Sequence, residues 1–308
     1  MTGEPVTGFA ETGPGDRQGR TAETDRLLPR TTFPPAGTPV TCAVSGGADS
    51  LALLMLAAAA GCRATAVHVD HGLRSGSDAE ADVVREAAIL VGADFRSERS
   101  AVEPGPNLEE RARAARYSVL PPDVLTGHTA DDQAETVLLN LMRGAGLDGL
   151  AAMTPARHPI LGLRRAETHE LCQSLGLRPV VDPSNDDPVH RRNRVRHELL
   201  PLLDAIAERD VAAVLARQAG VLRNEAELLD ELAAALDVTD ARGLAAAPLA
   251  LSRRAVRRWL YVGQDHPPGG DAVERTLAVA RGEVRATEVG AGRRVSRSGG
   301  RLRIEAGR

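Results

Sequence analysis

Two stretches concentrate the residues that can do chemistry. Ser45-Gly46-Gly47-Ala48-Asp49-Ser50 combines small residues, two hydroxyls and one carboxylate. Gly127-His128-Thr129-Ala130-Asp131-Asp132-Gln133-Ala134-Glu135-Thr136 adds an imidazole and a group of carboxylates. The first suits a polyphosphate, because glycines let the backbone approach and the N–H groups of a following helix point outward. Asp49 beside a polyphosphate makes sense in two ways: Mg2+ lies between them, or the carboxylate caps the helix. Asp132 and Glu135 lie three apart, so a helix puts both on one face. Such a pair can hold Mg2+ or the ammonium of an amine substrate. Its simpler use is an acidic helix start that favours the helix dipole.

A third stretch, Val67-His68-Val69-Asp70-His71-Gly72-Leu73-Arg74, follows an apolar run. A His-x-x-His pair without further ligands is a weak zinc pattern. Backbone contacts to an adenine near His68 and a phosphate contact by Arg74 fit better, and the simpler use of the histidines is packing at a strand end. The loop is not a Walker A loop, which requires a lysine, because the chain contains no lysine at all. That absence also excludes lysine-nucleophile ligases, Schiff-base enzymes and pyridoxal-phosphate enzymes.

These motifs need elements to position them. Strand–helix alternation begins at Thr38: strands over Pro39–Val44, Arg63–Val69, Asp94–Ser100 and Asp123–Thr126, helices over Asp49–Ala60, Ser77–Val91, Asn107–Leu120 and Ala130–Met142. This order predicts an α/β fold with a doubly wound parallel sheet, whose ligands bind beyond the carboxyl ends of the strands. All three motifs fall at those ends. Residues 1–37, rich in Gly, Pro, Thr and charge, read as a disordered extension with one helical turn near Asp25–Leu28. Residues 38–197 form the expected catalytic domain and 198–308 a helical linker with a small accessory domain. A helix over Ala166–Leu175 stops at Gly176. One long helix or a helical pair runs from Glu198 to about Leu236. Helices around Ser252–Leu260 and Asp271–Arg281 precede a terminal hairpin, Arg293–Ile304, turning at Ser298-Gly299-Gly300.

Composition sets further bounds. Apolar residues make up 43% of 308 residues, enough for a globular core. No apolar run reaches membrane-span length, and three scattered cysteines form no disulfide framework or Cys-x-x-Cys pair. The expected compartment is the reducing cytoplasm. Net charge is −4, yet residues 241–308 carry fourteen Arg against six Asp plus Glu. That asymmetry suits a basic surface for a polyanion, Arg253, Arg254, Arg257 and Arg258 included, or a solvated arginine-rich face.

Ser-Gly-Gly-x-Asp-Ser resembles the PP-loop of the ATP pyrophosphatases, which cleave ATP to AMP and pyrophosphate by adenylating a substrate. Several further stretches, taken in order, sharpen the likeness: His68–Arg74; Asn107-Leu108-Glu109-Glu110-Arg111-Ala112-Arg113 with Arg116-Tyr117; Gly127–Thr136; Arg143-Gly144-Ala145-Gly146-Leu147-Asp148-Gly149-Leu150; Asp182-Pro183-Ser184-Asn185; and Arg192-Asn193-Arg194-Val195-Arg196. Together they resemble the tRNA(Ile)-lysidine synthetase family, densely over Val40–Leu203 and loosely beyond. The resemblance implies an adenine nucleotide alpha-hydrolase-like fold and a two-step ligation. ATP adenylates C2 of the wobble cytidine through its oxygen, in a tRNA(Ile) with a CAU anticodon, and free L-lysine then displaces AMP. It implies ATP contacts from Ser45, Gly46, Gly47, Ala48, Asp49, Ser50, His68, Arg74, Gly127 and His128. Asp49, Asp132, Glu135, Arg111 and Arg194 would be catalytic, with Mg2+ on Asp49 and Asp132. Arg113, Arg143 and Arg196 would join the C-terminal arginines on tRNA. A homodimer is one expected assembly. The simpler use of these arginines is helical pairing with nearby glutamates, or solvation.

One departure is visible: His158-Pro159-Ile160-Leu161 stands where the family commonly has Arg-Pro-Leu-Leu, with the downstream arginine kept as Arg165. Arg157 or Arg164 could take the missing role. Two alternatives remain at this stage: a PP-loop tRNA thiolase, which usually needs paired cysteines, and a non-catalytic RNA-binding relative. An amidating synthetase would need a glutaminase domain, for which the chain has no room.

Overall fold

The computed structural model describes residues 21–70, 77–100, 111, 115, 118–181, 187, 189–264 and 266–306. Residues up to Ala219 form one compact unit and those from Gly220 a second. In the first unit four parallel strands, β1 (Pro39–Ala43), β2 (Arg63–Asp70), β3 (Asp94–Arg99) and β4 (Leu125–Thr126), are ordered β3-β2-β1-β4. The chain steps outward from β1 through β2 to β3, then returns to the other side of β1. The β1/β4 crevice is therefore the point where strand order reverses, the expected ligand position in an open α/β sheet.

The chain before β1 corrects the expectation of disorder across 1–37, of which 1–20 lie outside the described residues. Helix α1 (Ala22–Leu27) is capped by Thr21, and a 3-10 turn (Leu28–Arg30) follows. Leu27 is fully buried in the main core, with Leu28 and Phe33 against it. Burial of these apolar side chains outweighs the low local propensity of their Pro-rich surroundings.

Helix α2 (Ala48–Ala59) is nearly all Leu and Ala, so it has no polar face to present. It is buried accordingly from Leu51 to Ala57. Helix α3 (Ser77–Val91) matches its expected range. Most of the helix expected over Asn107–Leu120 lies outside the described residues. Helix α4 (Ala130–Met142) follows β4, a short helix α5 (Leu147–Leu150) comes next, and α6 (Arg165–Ser174) ends before Gly176 at φ +68°. A basic turn, α7 (Arg191–Arg194), passes through a π-helical stretch (Val195–Leu199) into α8 (Leu200–Ala207). Glu208, left-handed at φ 50°, breaks the chain before α9 (Val211–Ala234), so the expected pair forms rather than one helix. Val195, Leu200 and Ala212 share a core with Ala134 and Leu138 of α4. That packing moves the unit boundary from the expected 197/198 to Ala219/Gly220.

The second unit holds α10 (Ala241–Ala246), α11 (Leu249–Tyr261) and α12 (Gly270–Arg281). The expected terminal hairpin is present as β6 (Arg293–Ser298) and β7 (Arg301–Ala306), and β5 (Ala286–Gly290) adds a third antiparallel strand. Leu244, Val256, Leu260, Leu277, Val295 and Leu302 form its core. Among the described residues no helix is long and apolar enough to cross a membrane.

Candidate active site

The turn after β1 is shaped by its own hydroxyls. Ser50 Oγ donates to the Gly47 carbonyl at 2.8 Å and accepts from the Ser45 N–H at 3.1 Å. Gly46 takes φ +88°, and its carbonyl accepts from Val180 N–H at 2.9 Å. The N-cap of α2, Gly47, supplies no side-chain cap. The helix start therefore keeps the positive end of its dipole for an anion. Ser50 was expected on phosphate; here its hydroxyl builds the loop that would receive phosphate.

Gly127, at the end of β4, meets this loop through its backbone. A Cβ at 127 would lie 2.5 Å from the Asp49 carbonyl oxygen and 2.9 Å from Ser50 Cα. Only glycine lets β4 and α2 approach so closely. Gly127→Ala is expected to lose about 1–3 kcal/mol, the usual penalty of overpacking. It should also impair nucleotide binding by pushing Asp49 aside. Urea midpoints and ATP affinity measured together check this; an unchanged pair would show that the backbones separate freely.

The starts of α2, α4 and α6 meet at Arg165. Its guanidinium donates to Asp132 Oδ1 at 2.9 Å, Asp49 Oδ2 at 3.3 Å and Glu135 Oε1 at 3.4 Å. Its backbone N–H donates to Asp131 Oδ2 at 2.8 Å. Arg192 and Arg196 close over the same carboxylates: Nε of each donates to Glu135, at 2.6 and 2.7 Å. Glu135 has 0% side-chain exposure and serves as counter-charge to three guanidinium groups. Asp132 divides its roles. Oδ2 accepts from the Thr129 N–H at 2.9 Å, capping α4, while Oδ1 faces Arg165 and Arg192. Burial opposes its charge, but Arg165 and Arg192 outweigh it and hold the carboxyl down at about 2. Asp49 behaves oppositely. Burial first, and then the charge of Asp132, push its carboxyl up, only partly offset by hydrogen bonds from Thr168 and Arg165.

Other expected residues fall as follows. His68 is buried, with Nδ1 3.1 Å from the Val44 carbonyl, so its ring braces the strand before the loop. His128 Nδ1 is 2.7 Å and His158 Nδ1 2.6 Å from Thr126 Oγ1, with the two rings edge to face. The departure at His158 therefore lies at the end of β4, beside His128. Arg164 is committed to Asp131 and Asp210. Arg111 is half-buried. Arg194, expected to be catalytic, is instead 61% exposed and paired with Glu198 one turn on. A helix places 192 and 196 on one face and 194 on the other. Arg196, expected on tRNA, is held by Glu135. Arg143 is exposed at the end of α4. In the second unit Arg254 is only 12% exposed and pairs with Asp230 at 2.5 Å. Arg253 pairs with Glu274 at 2.5 Å, and Arg257 and Arg258 are exposed. Arg74, His71, Arg113, Asn107–Glu110, Arg116-Tyr117 and Asp182–Asn185 lie outside the described residues. The residues sequence reasoning did not assign are Arg165, Arg192 and Thr168. The Arg192/Arg196 spacing of one helical turn was the signal for the second.

Fold and site define a nucleotide-binding PP-loop protein, and the comparisons with known proteins agree. The PP-loop domain family matches residues 24–203. The tRNA(Ile)-lysidine synthase of Nocardia farcinica is 47% identical over 245 residues, covering 74% of this chain and 77% of that protein. Those of Rhodococcus erythropolis (46%, covering 73% and 74%) and Thermobifida fusca (40%, covering 80% and 84%) are similar. A solved structure, the U34-tRNA thiolase NcsA from Methanococcus maripaludis with its [4Fe-4S] cluster, shares the fold. Its TM-score is 0.53 at 18% identity, covering 65% of this chain and 78% of that one. The chain belongs to the tRNA(Ile)-lysidine synthase family of PP-loop proteins.

Proposed function

We propose that the chain ligates free lysine to C2 of the wobble cytidine in tRNA(Ile) with a CAU anticodon, using ATP. The cytidine O2 attacks the α-phosphorus and pyrophosphate leaves. The lysine amine, having lost its proton, then attacks C2, and AMP leaves with that oxygen. The observation that carries this reading is the junction at the β1/β4 crevice. It brings an uncapped phosphate-type helix start within backbone contact of an acidic helix start. The relatives' name supports the substrate.

Asp49 suits Mg2+: it offers hard oxygen donors, keeps 24% exposure and stands where negative charge is under-compensated. Asp132 suits the ion less, because Oδ2 caps α4 and Oδ1 faces two guanidinium groups that already compensate its charge. When bound, the ion would neutralise phosphate charge. Asp132 and Glu135 remain the proposed anchor for the lysine ammonium. An ammonium reaches them by replacing a guanidinium, and Arg192, 33% exposed, is the most accessible. The thiolase alternative is disfavoured by thiol chemistry. Burial pushes Cys42 and Cys172 up to about 12, so neither is a ready thiolate. The test is incubation with ATP, labelled lysine and a CAU-anticodon transcript, followed by digestion. Lysidine is the expected product; a label that stays free would overturn the reading.

For tRNA, the proposal narrows to the exposed arginines of α11. Binding should weaken steeply with salt, and Arg257→Gln and Arg258→Gln should each lower the log–log salt slope by about 1. Arg254→Gln should act on stability instead, through Asp230. Filter binding across a salt series distinguishes them, and an unchanged slope in Arg257→Gln would remove this helix from the RNA surface.

A further inference from the structure

Helix α6 presents a stripe to the start of α2. Arg165, Thr168 and Cys172 are spaced three and four apart, hence on one face. Cys172 Sγ lies 3.5 Å from the Ala48 carbonyl oxygen. Thr168 Oγ1 donates to Asp49 Oδ1, and Arg165 Nε donates to Asp49 Oδ2. Both oxygens of the loop carboxylate are thus held from one helix. The Asp49 carboxylate is therefore oriented by donors outside its own helix.

Thr168 is fully buried. Its hydroxyl also lies 2.8 Å from the Arg165 carbonyl, the back-bond any helical threonine can make. The hydroxyl has one proton for two acceptors, and the carboxylate is the stronger. On its other side α6 is fastened to the N-terminal segment. Glu167 Oε1 accepts from Arg30 at 2.5 Å and from Arg26 at 3.2 Å, while Oε2 accepts from the Arg164 N–H at 2.8 Å. The helix that aims Asp49 is therefore itself anchored.

We propose that Thr168 is a positioning residue for adenylation: its hydroxyl fixes the Asp49 carboxylate in the orientation that serves the metal-bound phosphates of ATP. This rests on the phosphate-loop reading of Ser45–Ser50. A hydrogen bond to a charged group supports an expected loss of about 10–100-fold in kcat for AMP formation in Thr168→Val, with a much smaller change in KM for free tRNA. Thr168→Ser, which keeps the hydroxyl, should recover most of that loss. A binding readout separates positioning from packing. Affinity for α,β-methylene-ATP should fall in Thr168→Val when Mg2+ is present and stay unchanged without it. Equal losses in the Val and Ser variants, or a binding loss independent of Mg2+, would assign Thr168 to packing and overturn the proposal. Should Thr168→Val not fold, Thr168→Ala carries the same comparison without adding bulk. Asp49→Asn serves as the reference. If it retains full adenylation, the phosphate-loop reading fails; if it is inactive while Thr168→Val is normal, only the positioning role fails.

Discussion

Asp49→Asn is expected to abolish AMP formation while raising the melting temperature. The carboxyl is pushed up in the folded protein by burial and by Asp132, so the native state binds its proton more tightly than the unfolded chain does. The sign follows from linkage. The folded protein gains from a protonated Asp49 at low pH. That gain is lost as pH rises from the ordinary carboxylate range through the raised folded value. At neutral pH the charge is therefore a net destabiliser, and Asn removes it while keeping the shape. Arg165 retains Asp132 and Glu135. The stability gain of the variant should shrink in acid, as wild-type Asp49 protonates. Removing a charge that serves phosphates should lower turnover by a factor of about 100 or more. Melting curves across pH with AMP release in the same preparations test both halves. A melting point that falls at neutral pH would mean that the Thr168 and Arg165 contacts outweigh burial.

Glu135→Gln should move stability the other way. It leaves Arg165, Arg192 and Arg196 around a neutral amide with no solvent access. Removing one partner from a buried ion pair typically destabilises by about 3–5 kcal/mol. For a chain of this size that is a fall in melting temperature of roughly 10 °C. Both half-reactions should suffer, because the guanidinium groups lose the charge that orders them. Adenylate formation and lysine saturation are the measurements. A variant with normal stability and adenylation, defective in lysine dependence alone, would make Glu135 a simple ammonium site and dismiss its structural role.

Much of this architecture was legible locally. The β1–α2 and β4–α4 junctions follow from small-residue loops between apolar runs, and α3 and Gly176 follow from periodicity and a left-handed stop. The terminal hairpin follows from Ser298-Gly299-Gly300. What escaped depends on partners distant in sequence. Arg165 and Arg192 reach Glu135 across 30 and 57 residues, distances over which helical spacing says nothing. Thr168 reads as an ordinary buried threonine until Asp49 is placed beside it. Strand β5 is short, and it is held by pairing with β6 and by Val289 in the core, neither of which its own sequence shows. Helix α1 is stabilised by a core that its own composition does not announce. Arg194 shows the converse: it and Arg196 were read alike from a basic run, while one turn of helix divides that run into an inward and an outward set.

The contact at Gly127 also limits how such a site can diversify. Because β4 and α2 touch backbone to backbone, the two helix starts already stand as close as the chain allows, and any side chain at 127 forces Asp49 out of place. Selection, natural or in the laboratory, can therefore exchange the side chains that look into the crevice, but a point change at its floor widens it only by displacing Asp49. New substrate preference in this scaffold is expected from partly exposed groups such as His158 and Arg192. Variant libraries directed there should yield active proteins, whereas libraries directed at Gly127 should return glycine.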